Sequence, residues 1–307
     1  YFLEKKKQST IKDVNIKQEM DTNNKVTDMR TLGKLLKDEG KMPKIEGKEF
    51  EKIGITAHST KNREYPCVIK DGGIVNEYSS YDFAVYLDKD KYIAEMLEKS
   101  GVRLFNSSRA ISVCDDKMLT HIALAEHGIP MPDTLPGALC YTPDALIPDE
   151  SIKSVIDTLG LPLVVKESYG SLGKGVYLVK DDTELRAAME KLKCMPHMFQ
   201  KYISESFGKD VRIIVIGGKY LCAMMRKSED DFRSNIELGG VGIKITPPDE
   251  YIEIAEKASK ILGLDYCGID ILIGKNGGLV CEVNSNAFFG GMEKTTGVNV
   301  AKAYAEY

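Results

Sequence analysis

Two carboxylates and one amide near the C-terminal end of the chain have the spacing needed to hold a cation. The segment Gly268–Asn286, GIDILIGKNGGLVCEVNSN, contains two apolar runs, ILI and LVC, separated by KNGG. Asn and Gly adopt the positive φ angles of tight turns, so the pattern predicts an antiparallel β-hairpin. Facing residues in such a pair have a constant sum of residue numbers, and a turn centred on Asn276 sets Asp270 opposite Glu282. Side chains alternate faces with period two, so Asn284 shares the face of Glu282. Like charges directly opposite each other destabilise a ladder, and the neighbours Ile271, Leu272, Val280 and Val283 mark the strands as buried. A cation removes the repulsion. Hard oxygen donors without paired His or Cys favour Mg²⁺ over zinc, typically with phosphate completing the shell. The plain alternative is a solvated strand face, and the hairpin alone does not decide between the two.

A second stretch bears on that choice. In LVVKESYGSLGKGVYLV, residues 163–179, two strands flank a loop with Gly170, Gly173 and Gly175 among Ser168, Ser171 and Lys174. Glycines let backbone N–H groups approach an oxyanion, and successive amides form an anion-binding nest. A Walker A loop needs GKS or GKT leading into a helix, and a dinucleotide-binding turn also opens a helix; here a strand follows. Strand, Gly loop, strand is the geometry of a flap over phosphates, and also of an ordinary Gly-rich hairpin. Lys166, at the end of an apolar strand below the loop, favours phosphate. Further along, Val211–Ile216 and Tyr220–Met225 form a second predicted hairpin about Gly217-Gly218, with Arg212 inside one strand and Arg226 just after the other. Arg233, Ser234 and Asn235 then stand beside a Gly pair in DFRSNIELGG.

The elements that position these groups read as alternating strands and helices. Candidate strands are Ile53–Ala57, Cys67–Lys70, Phe83–Leu87 and Val102–Phe105, with a helix over Lys89–Ser100 closed by Gly101, which suggests a small α/β unit with a parallel sheet. A helix is predicted from Asp115 to His127, with Leu119, Ala123 and Leu124 as its apolar face and His121 and His127 as surface or packing residues. The stretch Leu135–Pro148 reads as a loop, and Ser151–Leu159, Thr183–Leu192 and Pro247–Leu262 read as helices. Residues 1–52 carry 13 Lys/Arg and 10 Asp/Glu and no obvious buried strand; a short helix over Thr31–Glu39, stopped by Gly40, is the one element predicted in this flexible or peripheral segment.

Composition sets outer bounds. A chain of 307 residues is long for one core and predicts two packed units. A net charge of −4 gives no global reason to expect nucleic acid, and no apolar run approaches membrane-spanning length. Seven cysteines, scattered and without a CxxC pair, indicate reduced thiols in a cytoplasmic protein rather than a disulfide framework or zinc site. The chain opens on Tyr rather than Met, as a fragment or trimmed sequence does.

The order of these stretches resembles that of the ATP-grasp enzymes, and the chain from about Tyr81 to Tyr307 resembles RimK-type ligases. The motifs that carry the resemblance are DFAVYLDKD, FNSSRAISVCDDKMLTHIALAEHGIPMPDT, VVKESYGSLGKGV, FQKYISESFGKDVRIIVIGGK, DFRSNIELGG, GIDIL, CEVNSN and GMEKTTGVNVA. The first 50 residues do not match, and the opening strand of the strand–helix–strand unit usual in such ligases is not evident. The resemblance implies an α/β (α+β) ATP-grasp fold, with a smaller N-terminal pre-ATP-grasp-like domain over 1–112 and the ATP-grasp domain over 113–307.

It also implies residue roles. Lys117 and Lys166 contact ATP phosphates under the 168–175 loop, with Ser168, Gly170, Ser171 and Gly173. The backbone of Lys201, Tyr202 and Ile203 reads the adenine, and Asp210 holds the ribose. Arg233, Ser234 and Asn235 line the nucleotide and acyl-phosphate site. Arg226, with Arg233 and Lys166, steadies developing charge. Asp270, Glu282 and Asn284 bind Mg²⁺, two ions by resemblance, with Mn²⁺ as an alternative. The implied reaction joins a carboxylate to an amine through an acyl phosphate, releasing ADP and phosphate, as an amino-acid (glutamate-type) ligase acting on a peptide or small acid. Alternatives are a peptide-modifying ligase that makes side-chain crosslinks and a non-catalytic ATP-binding regulator. Expected partners are ATP and the two substrates, without nucleic acid or membrane and with a homo-oligomer as one option.

Overall fold

The computed structural model describes residues 2–5, 47–64 and 66–307. The helix expected at Thr31–Glu39 lies outside the described residues. The chain divides into two compact units, residues 1–105 with 301–307, and residues 106–300; the resemblance sets the boundary after residue 112.

The first unit corrects two expectations. Strand β1 (Phe2–Lys5) exists within the segment expected to lack one, and a helix, α1 (Gly47–Lys52), precedes the point where order is expected. β1 pairs antiparallel with β2 (Ile55–His58) and β5 (Phe83–Val85), in a sheet of order β2-β1-β5-β6. Among the described strands of this sheet only β5 and β6 (Leu104–Phe105) run parallel, so the sheet is mixed rather than parallel. β3 (Cys67–Lys70) and β4 (Gly73–Asn76) form a separate hairpin. The run FLEK is too short to show a period; its partners across some fifty residues of chain make it a strand. Helix α2 (Lys91–Lys99) starts at Asp90, whose carboxylate accepts from the Tyr92 and Ile93 N–H groups, both at 3.0 Å.

The second unit is built on two antiparallel sheets. One has the order β7-β10-β8-β9, from β7 (Thr134–Pro136), β8 (Leu163–Glu167), β9 (Val176–Val179) and β10 (His197–Lys201). β7 falls in the stretch expected to be loop; its pairing with β10 through Thr134, Leu135 and Pro136 makes it an edge strand, where Pro costs no ladder bond. Helices α5 (Asp149–Leu159) and α6 (Asp182–Leu192) cover this sheet through Ile152, Leu159, Leu185 and Leu192.

The other sheet has the order β13-β12-β11-β14-β15, from β11 (Lys209–Ile216), β12 (Lys219–Lys227), β13 (Val241–Lys244), β14 (Tyr266–Gly274) and β15 (Gly277–Asn284). Its odd-numbered residues Val211, Ile213, Cys267, Ile269 and Val283 pack on α7 (Asp249–Leu262), with Leu124 joining the same core. The even-numbered face therefore carries the polar groups, including Asp210, Arg212, Arg226, Asp270 and Glu282.

The helix expected over Asp115–His127 is present in shorter form as α4 (Lys117–Leu124), and a further, unexpected helix, α3 (Ser108–Asp115), precedes it. Asp116 leaves helical geometry at φ −98° and ψ 111°, and its carboxylate caps α4 by accepting from Met118 N–H at 2.9 Å and Leu119 N–H at 3.1 Å. The break makes Lys117 the first residue of α4. Leu119, expected on the apolar face, is 46% exposed, whereas His121 is buried.

Candidate active site

Between the two sheets of the second unit lies a cleft with about 820 Å³ of open space, lined from β8, β9 and β10 on one side and β11, β12, β14 and β15 on the other. Seven basic and three acidic side chains line it, in a chain whose net charge is −4. The excess of cations selects an anionic occupant.

The floor is the β14–β15 hairpin. Asp270 stands opposite Glu282 and Ile269 opposite Val283, as the constant-sum rule predicts. The turn itself departs from expectation. Gly274 pairs with Gly277, which leaves the two residues Lys275 and Asn276 at the tip, and the register shifts beyond Asp270 so that Ile271 faces Val280. Cys281 is the extra residue of this β-bulge, and the bulge lets Cys281 and Glu282 both line the cleft. A displaced turn and a one-residue bulge cancel, and the carboxylate pair survives.

Beside it lies a buried charge cluster. Arg212 grips Asp270 with two bonds of 2.7 Å, from Nε to Oδ1 and from Nη2 to Oδ2. Arg226 lies within β12, not after it, and donates Nε to Asp210 Oδ1 at 2.7 Å and Nη2 to Asp210 Oδ2; the same Nη2 lies 2.8 Å from Asp270 Oδ2. Arg226 is 2% exposed and Asp270 3%. Burial alone would push the Asp270 carboxyl up, but Arg212 and Arg226 outweigh it and hold the group below the ordinary carboxylate range. Asp270 Oδ1 takes one bond and keeps a lone pair; each Asp210 oxygen likewise keeps one beside Arg226.

The two lysines are held differently. Lys117 Nζ donates to the Gly170 carbonyl at 2.8 Å and lies 3.6 Å from Glu282 Oε1. Lys166 has no carboxylate within ion-pair distance among the described residues. Its Nζ donates to Gln200 Oε1 at 2.6 Å and toward Cys281 Sγ at 3.3 Å. Burial pushes the Cys281 thiol up, against the pull of Lys166, so a neutral thiol faces the ammonium. His121 stands behind Gln200; burial, then Lys166, lower its pKa to about 4.

The glycine loop joins β8 to β9 as predicted. Gly173 has φ +72°, which favours glycine, and a Cβ there would also push on the Asn235 Oδ1 atom at 2.9 Å. The Gly173 carbonyl accepts from Arg233 Nη1 at 2.7 Å, and Arg233 is otherwise clamped on Asp231. Lys174 N–H turns back to the Ser171 carbonyl at 3.2 Å, while the N–H groups from Gly170 to Gly173 make no backbone bond among the described residues. At the hinge, Lys201 N–H donates to the Asp133 carbonyl at 2.9 Å, and the N–H groups of Tyr202 and Ile203 make no backbone bond among the described residues.

Of the residues singled out in sequence, the cleft brings together Lys117, Lys166, Ser171, Gly173, Lys201, Tyr202, Ile203, Asp210, Arg226, Arg233, Ser234, Asn235, Asp270 and Glu282. Ser168, Gly170 and Asn284 do not line it. Ser168 is buried and anchors the base of the loop, its carbonyl accepting from Lys117 N–H and its own N–H donating to the Pro196 carbonyl, both at 2.9 Å. Sequence reasoning misses Gln200, Cys281, His121 and, as a site residue, Arg212. For Gln200 a signal exists, since it directly precedes Lys201–Ile203, the segment that the resemblance sets against the adenine.

The oxygen donors fit a hard cation. Asp270 and Glu282 offer carboxylate oxygens with capacity left, although among the described residues no three of His, Cys, Asp and Glu are grouped so as to hold a metal ion by themselves. The Nδ2 atom of Asn284 is buried without a partner among the described residues; turning that amide puts an oxygen in its place. Such a donor set suits Mg²⁺ rather than a soft metal. No helix among the described residues is long and apolar enough to cross a membrane.

Comparison with known proteins gives the same direction. The RimK-like ATP-grasp domain model matches residues 114–307. N-acetylaspartylglutamate synthase A of Homo sapiens is 38% identical over 230 residues, 73% of this chain and 56% of that protein. Beta-citrylglutamate synthase B of Homo sapiens is 38% identical over 229 residues, 73% of this chain and 57% of that protein. The chain thus spans little more than half the length of these relatives. A probable alpha-L-glutamate ligase of Maridesulfovibrio salexigens is 36% identical over 220 residues, 70% of each chain. Among solved structures, a RimK domain protein ATP-grasp from Sphaerobacter thermophilus shares the fold, with TM-score 0.65 at 20% identity over 85% of this chain and 93% of that one. The ATP-grasp ligase PsnB, complexed with minimal precursor, gives 0.54 at 26% identity over 70% and 67%. Family match, sequence identity and the two-sheet cleft agree: the chain belongs to the RimK-like ATP-grasp family.

Proposed function

We propose that the chain is an ATP-dependent carboxylate–amine ligase that activates the acid as an acyl phosphate and releases ADP and phosphate. The observation that carries this is the pairing, across one cleft, of a cation excess under a glycine loop with two oxygen-rich strands. The names of the relatives, glutamate-joining synthases and ligases among them, support an amino-acid acceptor of the glutamate type. PsnB, solved in complex with a minimal precursor, supports including peptides among the acids screened.

A carboxylate is a poor electrophile, and phosphorylation gives it a leaving group. Such a transfer needs alignment and neutralisation of charge more than a protein nucleophile. The N–H groups from Gly170 to Gly173, with Lys117 and Lys166, bind and orient the phosphates. The N–H groups of Tyr202 and Ile203 take the base. Asp210 keeps lone pairs for the ribose hydroxyls. Asp270, Glu282 and Asn284 would hold Mg²⁺, which would supply neutralisation of phosphate charge. Two ions, and a cytoplasmic setting, belong to the same reading.

Hydroxylamine tests it. With Mg-ATP and the cognate acid it intercepts the acyl phosphate, giving a hydroxamate without the natural amine, together with ADP and phosphate. AMP and pyrophosphate with the cognate acid refute the mechanism.

A further inference from the structure

Thr134 lies outside the cleft, on edge strand β7, yet it governs a group inside. Its hydroxyl donates to the Pro132 carbonyl at 2.8 Å. A hydroxyl has one hydrogen, so toward Gln200, 3.0 Å away, Thr134 Oγ1 can only accept. The amide nitrogen of Gln200 must therefore face Thr134. The second amide hydrogen lies toward His121 Nε2 at 3.4 Å, a nitrogen that is also 3.4 Å from the Cys281 carbonyl, so the imidazole tautomer sets which of the two it serves and the Thr134 bond is the one that orients the amide. With nitrogen fixed on that side, Oε1 faces Lys166 Nζ at 2.6 Å. The opposite orientation would set an amide donor against an ammonium.

We propose that Thr134 is a positioning residue: through the Gln200 amide it fixes Lys166, so that the ammonium is presented to phosphate with its charge uncancelled. A neutral amide suits this task better than a carboxylate, because it accepts a bond without neutralising the charge. The inference rests on the reading of the cleft as an ATP site.

The test is direct binding of Mg-ATP and, separately, of adenosine, which has no phosphate for Lys166 to meet. Thr134→Val removes the hydroxyl at nearly constant volume. It should weaken ATP about fivefold, the worth of one hydrogen bond, and leave adenosine within about twofold of wild type. Gln200→Leu should weaken ATP about tenfold with the same selectivity. Thr134→Ser, which keeps the hydroxyl, should bind both as wild type does. Thermal melts verify folding, with Thr134→Ala in reserve for the valine variant. Unchanged ATP affinity in Thr134→Val overturns the inference, and so does a parallel loss of adenosine, which would put Gln200 on the base. Wild-type protein that binds no ATP overturns the functional reading, and the inference with it.

Discussion

Arg226→Met isolates what the buried charge cluster contributes. In the intact protein Arg226 satisfies both oxygens of Asp210 and touches Asp270, which Arg212 also grips. Methionine fills much of the volume but removes every partner Asp210 has in the cluster. Asp270 keeps its two bonds from Arg212, so the cost concentrates on Asp210, which is 6% exposed. Breaking a buried pair from one side costs about 3–5 kcal/mol. For a unit of this size that lowers Tm by roughly 6–20 °C. Adding Asp210→Asn removes the orphaned charge and should restore about half the loss, with a coupling that a double-mutant cycle reads directly. Acid adds a second signature. Asp270 is depressed in the folded protein, so its contribution is complete above the unfolded carboxylate pKa of about 3.9 and is lost as pH falls through the lower folded value. Losing Arg226 weakens that depression and moves the acid limb of stability to higher pH. Thermal and urea denaturation against pH supply both numbers. An Arg226→Met protein melting within about 1 °C of wild type would refute the cluster as a source of stability.

Two further outcomes are expected. Glu282→Gln should fold normally, since Glu282 is part-exposed and its one ionic partner among the described residues is Lys117 at 3.6 Å, but it should lose Mg²⁺-dependent ATP turnover; near-wild-type turnover would sink the cation assignment. Amides of residues 170–173 should exchange quickly in the free protein and slow with Mg-nucleotide, because they have no backbone partner among the described residues; equal exchange in both states would make the loop an ordinary hairpin turn.

The parts legible in sequence are those with local grammar. The glycine loop, the KNGG hairpin and the Asp270–Glu282 pairing follow from turn residues and period two. What escapes depends on non-local partners. Strand β1 has too few residues to show alternation and is defined by β2 and β5. Helix α3 goes unread and the predicted helix starts at Asp115, whereas Asp116 caps α4; the Asp preceding Lys117 is a readable signal. The bulge at Cys281 has no sequence mark, since neither glycine nor a polar break announces it. Gln200 and Thr134 meet only because β7 joins the edge of β10, and the sequence around β7 looks like loop.

The cations of the cleft divide by what they are already bound to. Resemblance assigns Arg226 to developing charge, yet it is committed to two carboxylates, and Arg212 to one of the same pair. Two guanidiniums and two carboxylates in contact leave the cluster close to neutral, and in a buried site that neutrality is what makes it tolerable. Arg233 is bound by Asp231 and by the Gly173 carbonyl, which suits it to fasten the loop. The charge left for an incoming anion is therefore that of lysines: Lys166, whose described partners are neutral, Lys117, which meets Glu282 only at 3.6 Å, and Lys174 and Lys209, which also line the cleft. A cation bound at Glu282 would compete with Lys117 for that carboxylate and free the lysine toward the phosphates. The arginines thus build the frame, and with a nucleotide in the cleft as proposed the lysines would meet it, so substitutions at Lys166 should appear in nucleotide affinity and those at Arg226 first in stability.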